Sequence, residues 1–265
     1  MSKMDLHKDL QVYPHPEYSI VLPADAQLRI HQENHRLYDR FLPHFSKYMA
    51  PRSTVVDVGA YCGDTVAAMF ATNPSLRFVC IEGDAGRFAL LEENVERIHA
   101  YDAEAQIQTV QSFVGTGEAG TIGGQLRRLD EILRAESAGP VGLLKSDTDG
   151  FDFDVIDSAE VVVDRDQPLL YFECENHTPE QKARYGEMMG RLAGKGYSYW
   201  AVFDNFGELV LETRELAPVR QLMDYVWRQN MQRTTRTIYY YDILAATERH
   251  RSLAEKIVAD YIRLV

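Results

Sequence analysis

The chain has 265 residues, of which 28 are Lys or Arg and 40 are Asp or Glu, so that its formal net charge is −12 at pH 7. Hydrophobic residues make up 45% of the sequence, which excludes an intrinsically disordered chain and predicts a folded protein with a sizeable core. The acidic balance argues against nucleic acid or an anionic membrane as the main partner, because both bind positively charged surfaces.

The cysteines and the N-terminus predict a cytoplasmic protein. The first twenty residues are polar and are interrupted by Pro14 and Pro16, unlike a signal peptide, and no stretch approaches the roughly 18 apolar residues of a membrane span. Cys62, Cys80 and Cys174 lie inside apolar runs and form no CxxC pair. We therefore expect three buried, reduced thiols.

Residues 1–50 are predicted to form an N-terminal helical segment. Apolar residues between Leu28 and Phe45 recur at helical spacing until Pro51 interrupts the pattern. At that point the rhythm changes to a β-branched strand over 54–58, a glycine turn over 59–63 and a helix over 65–71. Residues 51–265 are predicted to form one domain.

Strands and helices alternate through most of that domain. Further strands are predicted at 77–81, 107–114, 141–145 and 168–172, and helices at 86–98, 126–135, 153–159 and 179–193. Nearly continuous apolar strands separated by helices are typical of a parallel sheet with both faces covered. The fold class is therefore predicted as α/β, with a doubly wound sheet.

The C-terminal part of the sequence has a different pattern. The stretches 197–203 and 209–211 flank Asp204-Asn205-Phe206-Gly207-Glu208, which indicates a β-hairpin. A further strand is predicted over 237–244, and a closing helix over 247–265. These three strands are expected to form an antiparallel edge on the mostly parallel sheet.

The first strand and the second are followed by residues suited to a nucleoside. Gly59 and Gly63 allow the backbone to approach a ligand closely, and Glu82 lies where an acid accepts hydrogen bonds from a ribose diol. Tyr61 breaks the G-x-G-x-x-G pattern of dinucleotide-binding proteins, and the Lys-bearing phosphate loop is missing too. The pattern favours a nucleoside without phosphates and disfavours a nicotinamide-dependent oxidoreductase.

Acidic residues follow the fourth and fifth predicted strands. Asp147 and Asp149 come after the fourth strand, and Glu173 and Glu175 end the fifth. Carboxylates at neighbouring strand ends repel one another unless a cation lies between them. That cation is a metal ion, a protonated base or a sulfonium.

Together these motifs resemble the FkbM family of S-adenosylmethionine-dependent methyltransferases. The resemblance is carried by V-D-V-G-A at 56–60 and L-K-S-D-T-D-G at 144–150, with L-D-E-I-L at 129–133 and P-L-L-Y-F-E at 168–173 in support. The sequence departs from the family pattern at Ser146, where an apolar residue is usual, and at Asp149, where glutamate is common. The resemblance implies the class I methyltransferase fold, which is Rossmann-like, with the N-terminal segment as a lid.

The resemblance also implies S-adenosylmethionine as the cofactor. Its methionine part is expected over the glycine loop, its ribose on Glu82, and its adenine near the residues after the third strand. The candidate cofactor-binding residues are Asp57, Gly59, Ala60, Tyr61, Gly63, Asp64, Thr65, Glu82, Ser112, Phe113 and Asp147.

The expected reaction is O-methylation of a sugar or natural-product intermediate. The candidate catalytic residues are Asp147, Asp149, His177 and Lys145. In one route a metal acidifies the acceptor hydroxyl, with Asp147, Glu175 and Asn176 as oxygen ligands for Mg²⁺, or for Ca²⁺. In the other, a side chain such as His177 removes the proton, while Asp147 and Asp149 orient the substrate and Lys145 pairs with neighbouring acids.

Two other functions stay open on the sequence. One is N-methylation of a small-molecule amine or amide, which needs no metal. The other is a module that binds S-adenosylmethionine without turnover. The expected partner is a small-molecule or glycan substrate, and the aromatic-rich C-terminal region also suits a homodimer.

Overall fold

The computed structural model describes residues 10–117, 126–232 and 235–264. The first nine residues of the predicted N-terminal segment lie outside the described part of the chain. No helix among the described residues is long and apolar enough to cross a membrane.

The N-terminal segment contains a β-hairpin that the helical prediction missed. Strands β1 (Leu10–Pro14) and β2 (Ser19–Pro23) pair antiparallel and precede helices α1 (Leu28–Asn34) and α2 (Phe41–Ser46). The hairpin turn is closed by a hydrogen bond from the His15 backbone N–H to the Tyr18 carbonyl. Its prolines are tolerated because Pro14 ends β1 and Pro16 lies in the turn, where proline removes no ladder hydrogen bond.

The middle of the chain alternates between strands and helices, as predicted. Its elements in order are β3 (Thr54–Val58), α3 (Asp64–Thr72), β4 (Arg77–Glu82), α4 (Ala85–Tyr101), β5 (Gln106–Gln111), β6 (Phe113–Val114), β7 (Leu126–Arg127), α5 (Leu129–Ala135), β8 (Val141–Ser146), α6 (Asp152–Asp157), α7 (Glu160–Asp166), β9 (Leu169–Glu175) and α8 (Pro179–Gly194). The short strands β6 and β7 form a parallel pair of their own.

The C-terminal part contains the predicted hairpin and one helix that was not predicted. Its elements are β10 (Tyr197–Asp204), β11 (Leu209–Thr213), α9 (Leu216–Gln232), β12 (Tyr240–Thr247), α10 (Arg251–Tyr261) and a 3₁₀ turn (Ile262–Leu264). The buried residues of α9 are Val219, Met223 and Val226, whose spacing of four and three is the helical signal that the prediction overlooked.

The main sheet has eight strands in the order β11-β10-β12-β9-β8-β3-β4-β5. The pairs from β9 to β5 are parallel, whereas β12, β10 and β11 pair antiparallel with their neighbours, which confirms the predicted antiparallel edge. The chain runs from β3 outward to β5 and then returns to place β8 on the other side of β3. Ligands bind in open α/β sheets at the carboxyl ends of the strands flanking such a reversal.

Separate apolar cores cover the two faces of this sheet. Helices α2, α3, α4 and α10 pack on one face, and α5 to α9 pack on the other. Neighbouring residues of β3 contribute to both, since Val55 belongs to the first core and Val56 to the second. Cys62, Cys80 and Cys174 are buried and free, as expected.

The N-terminal segment belongs to the first core. The Phe41 ring of α2 stacks on Tyr171 of β9 and packs against Phe203 of β10, with centroid distances of 5.3 and 4.5 Å. Tyr261 of α10 donates hydrogen bonds to the carbonyls of Leu37 and Gly207 at 3.0 and 3.1 Å. The connection between α1 and α2 is thereby held over the carboxyl ends of the strands.

Candidate functional site

A cavity of about 750 Å³ lies at the carboxyl ends of the central strands, beneath the N-terminal segment. Its wall has two parts that meet at Asp147. We call one the glycine-loop half, lined by Gly59, Tyr61, Asp64, Thr65, Glu82 and Phe113. We call the other the acidic half, lined by Asp39, Asp149, Glu173, Glu175 and Asp242.

The glycine loop packs directly on the segment that follows β8. Gly59 has φ +76°, and a Cβ at this position would lie 1.8 Å from the Asp147 carbonyl oxygen, so that no other residue fits. The N–H groups of Gly59 and Ala60 both donate to the Ile81 carbonyl, at 2.9 and 3.0 Å. The loop is thus fixed to β4 on one side and to Asp147 on the other.

A buried asparagine joins the same loop to the N-terminal hairpin. Asn94 of α4, only 1% exposed, exchanges hydrogen bonds with both backbone groups of Val21 at 2.7 and 2.8 Å. Its amide also donates to the Cys62 carbonyl at 2.8 Å. The hairpin is therefore part of the scaffold that holds the loop in place.

Glu82 closes the other side of the glycine-loop half. Its carboxylate accepts the backbone N–H of Tyr61 at 2.9 Å and that of Asp84 at 2.7 Å, and the residue is 6% exposed. A carboxylate has about four acceptor positions, so two remain for a ligand in the cavity. The predicted position of Glu82 at the end of β4 is accordingly suited to bind a diol.

An aromatic ring and a cation complete this half. The Phe113 ring lies so close to Gly83 that a Cβ there would be 2.2 Å from it. The Arg87 guanidinium lies over the Tyr61 ring at 5.1 Å from the centroid. Ser112 also lines the cavity, although its hydroxyl donates to the Phe113 carbonyl at 3.0 Å. The planar Phe113 face is the part of the wall suited to a nucleobase.

Three of the predicted cofactor-binding residues do not line the cavity. They are Asp57, Ala60 and Gly63, which lie behind the described residues that form its wall. Asp57 is 1% exposed because it lies within β3, and Gly63 is the N-cap of α3 with φ +82°. These residues shape the loop rather than line the cavity, whereas Asp64 and Thr65 in the first turn of α3 do line it.

Lys145 lies behind the glycine loop and contacts two acids and the loop backbone. Its ammonium lies 2.8 Å from an Asp57 oxygen and 3.5 Å from an Asp147 oxygen, and it donates to the Gly59 carbonyl at 3.2 Å. Burial by itself would lower the pKa of Lys145, but the carboxylates of Asp57 and Asp147 outweigh burial and raise it above its usual value. Lys145 is therefore a fixed cation. The structure gives it the role of pairing with neighbouring acids, which the sequence suggested beside a catalytic one.

Asp147 lies at the junction of the two halves. Its side chain is 53% exposed. Its charge raises the pKa of Asp64 in the glycine-loop half and of Glu173 and Asp242 in the acidic half, in each case after the larger effect of burial. Asp147 thus affects the pKa values of acids in both halves of the cavity. It lies where molecules bound in the two halves would meet.

The acids of the predicted metal site are grouped differently from the prediction. Single carboxylate oxygens of Asp149, Glu173 and Glu175 lie within 4.8 Å of one another. Asp147 instead pairs with Lys145. Asn176 is fully buried, and its carbonyl accepts a hydrogen bond from the Asn230 amide at 3.0 Å, which ties it to α9. The predicted set fails at Asn176 because consecutive residues at a strand end point to opposite sides.

His177 lies outside the cavity wall formed by the described residues. Its Nε2 is 2.6 Å from a Glu175 oxygen, and the side chain is 40% exposed. The His177 backbone N–H donates to the Gln181 side chain, which belongs to the capping box of α8. In this arrangement the imidazole orients Glu175 and does not reach into the cavity as a base.

Several residues of the acidic half were not predicted as site residues. Tyr38 and Asp39 come from the connection between α1 and α2, and Tyr240 and Asp242 from β12. Asp39 is exposed on the cavity wall, and the protein packed around it, with the charges of Asp64 and Asp147, raises its pKa. The sequence contained one sign that Asp242 has a functional role, because it is a single acid in an otherwise apolar predicted strand.

A buried network supports the junction from below. Asp152 is fully buried and accepts the Ser146 hydroxyl at 2.6 Å and the Tyr185 hydroxyl at 3.1 Å. Burial raises the pKa of Asp152 to about 7, against the effect of the Ser146 hydrogen bond. Ser146, where the sequence departs from the pattern that it resembles, thus has a specific partner.

Comparison with known proteins places the chain among methyltransferases. The model of the methyltransferase FkbM domain matches residues 57–199, more than half of the chain. A solved FkbM methyltransferase from Methylobacillus flagellatus KT is 20% identical, with a TM-score of 0.40, over 46% of this chain and 32% of that one. The chain therefore spans about a third of the length of that relative. No match was found among curated proteins.

Other solved structures are similar in fold at low identity. A SAM-dependent methyltransferase from Agrobacterium tumefaciens is 9% identical, with a TM-score of 0.52, over 90% of this chain and 70% of that one. A precorrin-6y C5,15-methyltransferase from Geobacter metallireducens GS-15 is 12% identical, with a TM-score of 0.43, over 78% and 87%. The predicted class I methyltransferase fold is confirmed.

Proposed function

The chain belongs to the FkbM methyltransferase family. From this premise we propose that it is an S-adenosylmethionine-dependent methyltransferase that methylates a hydroxyl oxygen of a sugar or natural-product intermediate. The observation that carries the proposal is the position of Asp147, between the glycine-loop half and a half lined by hydrogen-bonding carboxylates and phenols. A polyhydroxylated acceptor is the class of molecule that offers matching groups.

The glycine-loop half fits S-adenosylmethionine, which when bound supplies an electrophilic methyl group on a sulfonium. Glu82 has acceptor positions left for the ribose diol after binding the N–H groups of Tyr61 and Asp84. The Phe113 face suits the adenine, and the loop at Gly59 leaves the backbone free to contact the methionine part. The cavity volume of about 750 Å³ lies in the range of cofactor sites.

The acidic half is proposed to hold the acceptor. The carboxyl groups of Asp39 and Asp242 accept hydrogen bonds from hydroxyl groups, and the phenols of Tyr38 and Tyr240 both donate and accept them. Fixed partners of this kind orient one oxygen toward the methyl group, and such positioning accounts for much of the rate of a displacement reaction.

Asp147 is proposed to accept the proton of the reacting hydroxyl. The oxygen becomes nucleophilic as this proton leaves, and a positioned base contributes roughly 10²- to 10⁴-fold to the rate. Lys145 holds the Asp147 carboxylate in place at 3.5 Å while it also neutralises Asp57. Asp149 is the second candidate base on the wall, and assistance by Mg²⁺ or another divalent cation is the alternative route.

N-methylation is the second candidate function, because five carboxylates in the acidic half also favour a cationic amine. The two are separated by incubating the protein with S-adenosylmethionine carrying a ¹³C methyl group and a pool of sugars that includes amino sugars. The ¹³C chemical shift of the product then reports whether the methyl group is on oxygen or on nitrogen.

We expect an O-methyl signal that falls at least about 100-fold in Asp147→Asn, as removal of a general base predicts. The matched control is Glu92→Gln, which changes an exposed acid on α4 and should leave the rate unchanged. A methyl group found only on nitrogen would overturn O-methylation. Cofactor binding without any transfer would indicate a module without turnover.

The expected homodimer stays a prediction. The aromatic residues that suggested it have places within the monomer, since Tyr239 and Tyr240 line the cavity and Tyr241 is 3% exposed.

A further inference from the structure

We infer that Asp149, Glu173 and Glu175 form a binding site for a divalent cation of the size of Ca²⁺ in the acidic half of the cavity. The binding itself needs no assumption about the reaction, whereas the catalytic role given to the cation below rests on the proposed O-methylation. The set shares only Glu175 with the ligands predicted from the sequence.

The three carboxylates lie close enough together to share one ion with long metal–oxygen bonds. Their nearest oxygens lie within 4.8 Å of one another. Ca²⁺ binds oxygen at roughly 2.3–2.6 Å, so that two ligands on opposite sides of the ion are about 5 Å apart. Mg²⁺, with bonds of roughly 2.0–2.1 Å, would require ligands no more than about 4.2 Å apart. A Ca²⁺-sized ion is accommodated throughout the range that the structure gives.

An independent observation identifies Glu173 as a group that lacks a partner. Glu173 is 7% exposed and lines the cavity. Its Oε2 is buried and has no hydrogen-bond partner among the described residues. A buried carboxylate oxygen without a partner is strongly unfavourable, and a cation in the cavity would supply the missing interaction.

The charge of Arg236 reaches Glu175, but no cation among the described residues forms an ion pair with Asp149 or Glu173. In residues 10–117, 126–232 and 235–264, their only ion pair is the contact of 2.6 Å between His177 and Glu175. Lys145, the nearest cation in the neighbouring half, is committed to Asp57 and Asp147. His177 would act here as the outer partner that orients a metal-binding carboxylate.

A cation at this place would lie beside the proposed acceptor. Asp149 follows β8 two residues after Asp147, and Glu173 and Glu175 end the adjacent strand β9. Bound to the reacting hydroxyl, the cation would lower the pKa of that hydroxyl. Asp147 would take up the released proton as the C–O bond forms and the methyl–sulfur bond breaks, with its electron pair left on the sulfur. Open positions on the ion are expected, because the chain supplies three ligand residues and Ca²⁺ takes six to eight oxygens.

The site is tested with the metal alone. The full chain is treated with a chelator, desalted and titrated calorimetrically with CaCl₂ and, separately, with MgCl₂, in the absence of cofactor and acceptor. We expect one equivalent of Ca²⁺ to bind, Mg²⁺ to bind more weakly, and Ca²⁺ to raise the thermal unfolding midpoint.

The variants are Asp149→Asn and Glu173→Gln, with Glu92→Gln as the matched control on the exposed face of α4. Loss of an inner ligand is expected to weaken Ca²⁺ binding by at least about tenfold, since even outer partners contribute about that much. Asp149 is exposed, so that its variant is expected to fold even if Glu173→Gln does not. The control is expected to bind as the wild type does.

Absence of heat and of a thermal shift with both metals would overturn the site and would favour an ammonium group of the acceptor as its occupant. Binding that is unchanged in both variants would also overturn it. Full O-methylation in excess EDTA would overturn the catalytic role alone, and a failure of O-methylation itself would leave the metal titration unaffected.

Discussion

The two halves of the cavity are built in different ways. The glycine-loop half is built around the loop backbone, whose course is set by the motifs at 56–60 and 144–150, and it is completed by Glu82 at the end of β4 and by the Phe113 ring. The acidic half is formed by side chains from the connection between α1 and α2, from the loop after β8, and from β9 and β12. In the proposed function, binding of the cofactor therefore depends on the loop, whereas choice of the acceptor depends on side chains that can vary independently.

The largest effect expected from this comparison is that of Gly59→Ala. The new Cβ would lie 1.8 Å from the Asp147 carbonyl oxygen at a φ of +76°, so that the loop must move away from β8. Strain of about 1–2 kcal/mol from the left-handed conformation adds to the clash. We expect binding of S-adenosylhomocysteine, measured by calorimetry, to weaken at least 100-fold.

The matched control for that variant is Gly186→Ala, at a helical position where an added Cβ meets nothing within 4 Å. It should bind normally and unfold at the same or a slightly higher temperature, because alanine favours helix. Normal binding by Gly59→Ala would show that the loop backbone does not define this half.

The sequence predicted the glycine-loop half better than the acidic half for a physical reason. Gly59 and Glu82 are fixed by local turn and strand geometry, which a short motif carries. Asp39 and Asp242 reach the cavity only through the packing of α2 and β12, which no local pattern contains. Asn176 was wrongly assigned because the sequence did not show on which side of the strand end it lies.

The helices and strands differ in the same way in how far the sequence predicts them. The alternating strands and helices of the middle region were predicted because each has one dominant periodicity. The N-terminal hairpin was missed because its strands have five residues each and include Pro14 and Pro23 at their ends. Their stability comes from contacts with α4 through Asn94 rather than from a local pattern.

A second prediction concerns the ion pair on which both halves depend. Lys145→Ala would leave Asp57 buried at 1% exposure without its partner at 2.8 Å. Removal of one member of a buried pair costs about 3–5 kcal/mol, and we expect the free energy of unfolding in urea to fall by that amount. The double variant with Asp57→Asn should recover a large part of the loss. If Lys145→Ala were as stable as the wild type, the ion pair of Lys145 with Asp57 would not stabilise the fold.

A third prediction is a dependence of stability on pH that Asp152 contributes. Burial raises the pKa of this carboxyl from 3.8 to about 7, so that between these values the folded protein holds a proton which the unfolded chain has released. The stabilisation is therefore complete below about pH 4 and is lost as the pH rises through 7.

The measurement is the free energy of unfolding at pH 5 and pH 8 for the wild type and for Asp152→Asn. The wild type should be more stable at pH 5, and the variant should show a smaller difference, since Glu173 and Asp242, whose pKa values are also raised, contribute in the same direction. An equal difference in the two proteins would rule out Asp152 as a source.

The smallest effect is expected at the rim of the glycine-loop half. Arg87→Ala removes the guanidinium that lies 5.1 Å from the centre of the Tyr61 ring. An exposed cation–π contact contributes about 0.5–1 kcal/mol, so binding of S-adenosylhomocysteine should weaken about two- to fivefold. A loss as large as that of Gly59→Ala would mean that side chains, and not the backbone, dominate this half.

Binding of S-adenosylmethionine to the glycine-loop half through Glu82 is tested by a calorimetric titration with S-adenosylhomocysteine. The wild type and Glu92→Gln should bind one equivalent with the same affinity. Glu82→Gln should bind at least about tenfold more weakly, because hydrogen bonds to a charged carboxylate contribute about 1.5–3 kcal/mol each. No binding by the wild type, or unchanged binding by Glu82→Gln, would contradict the account.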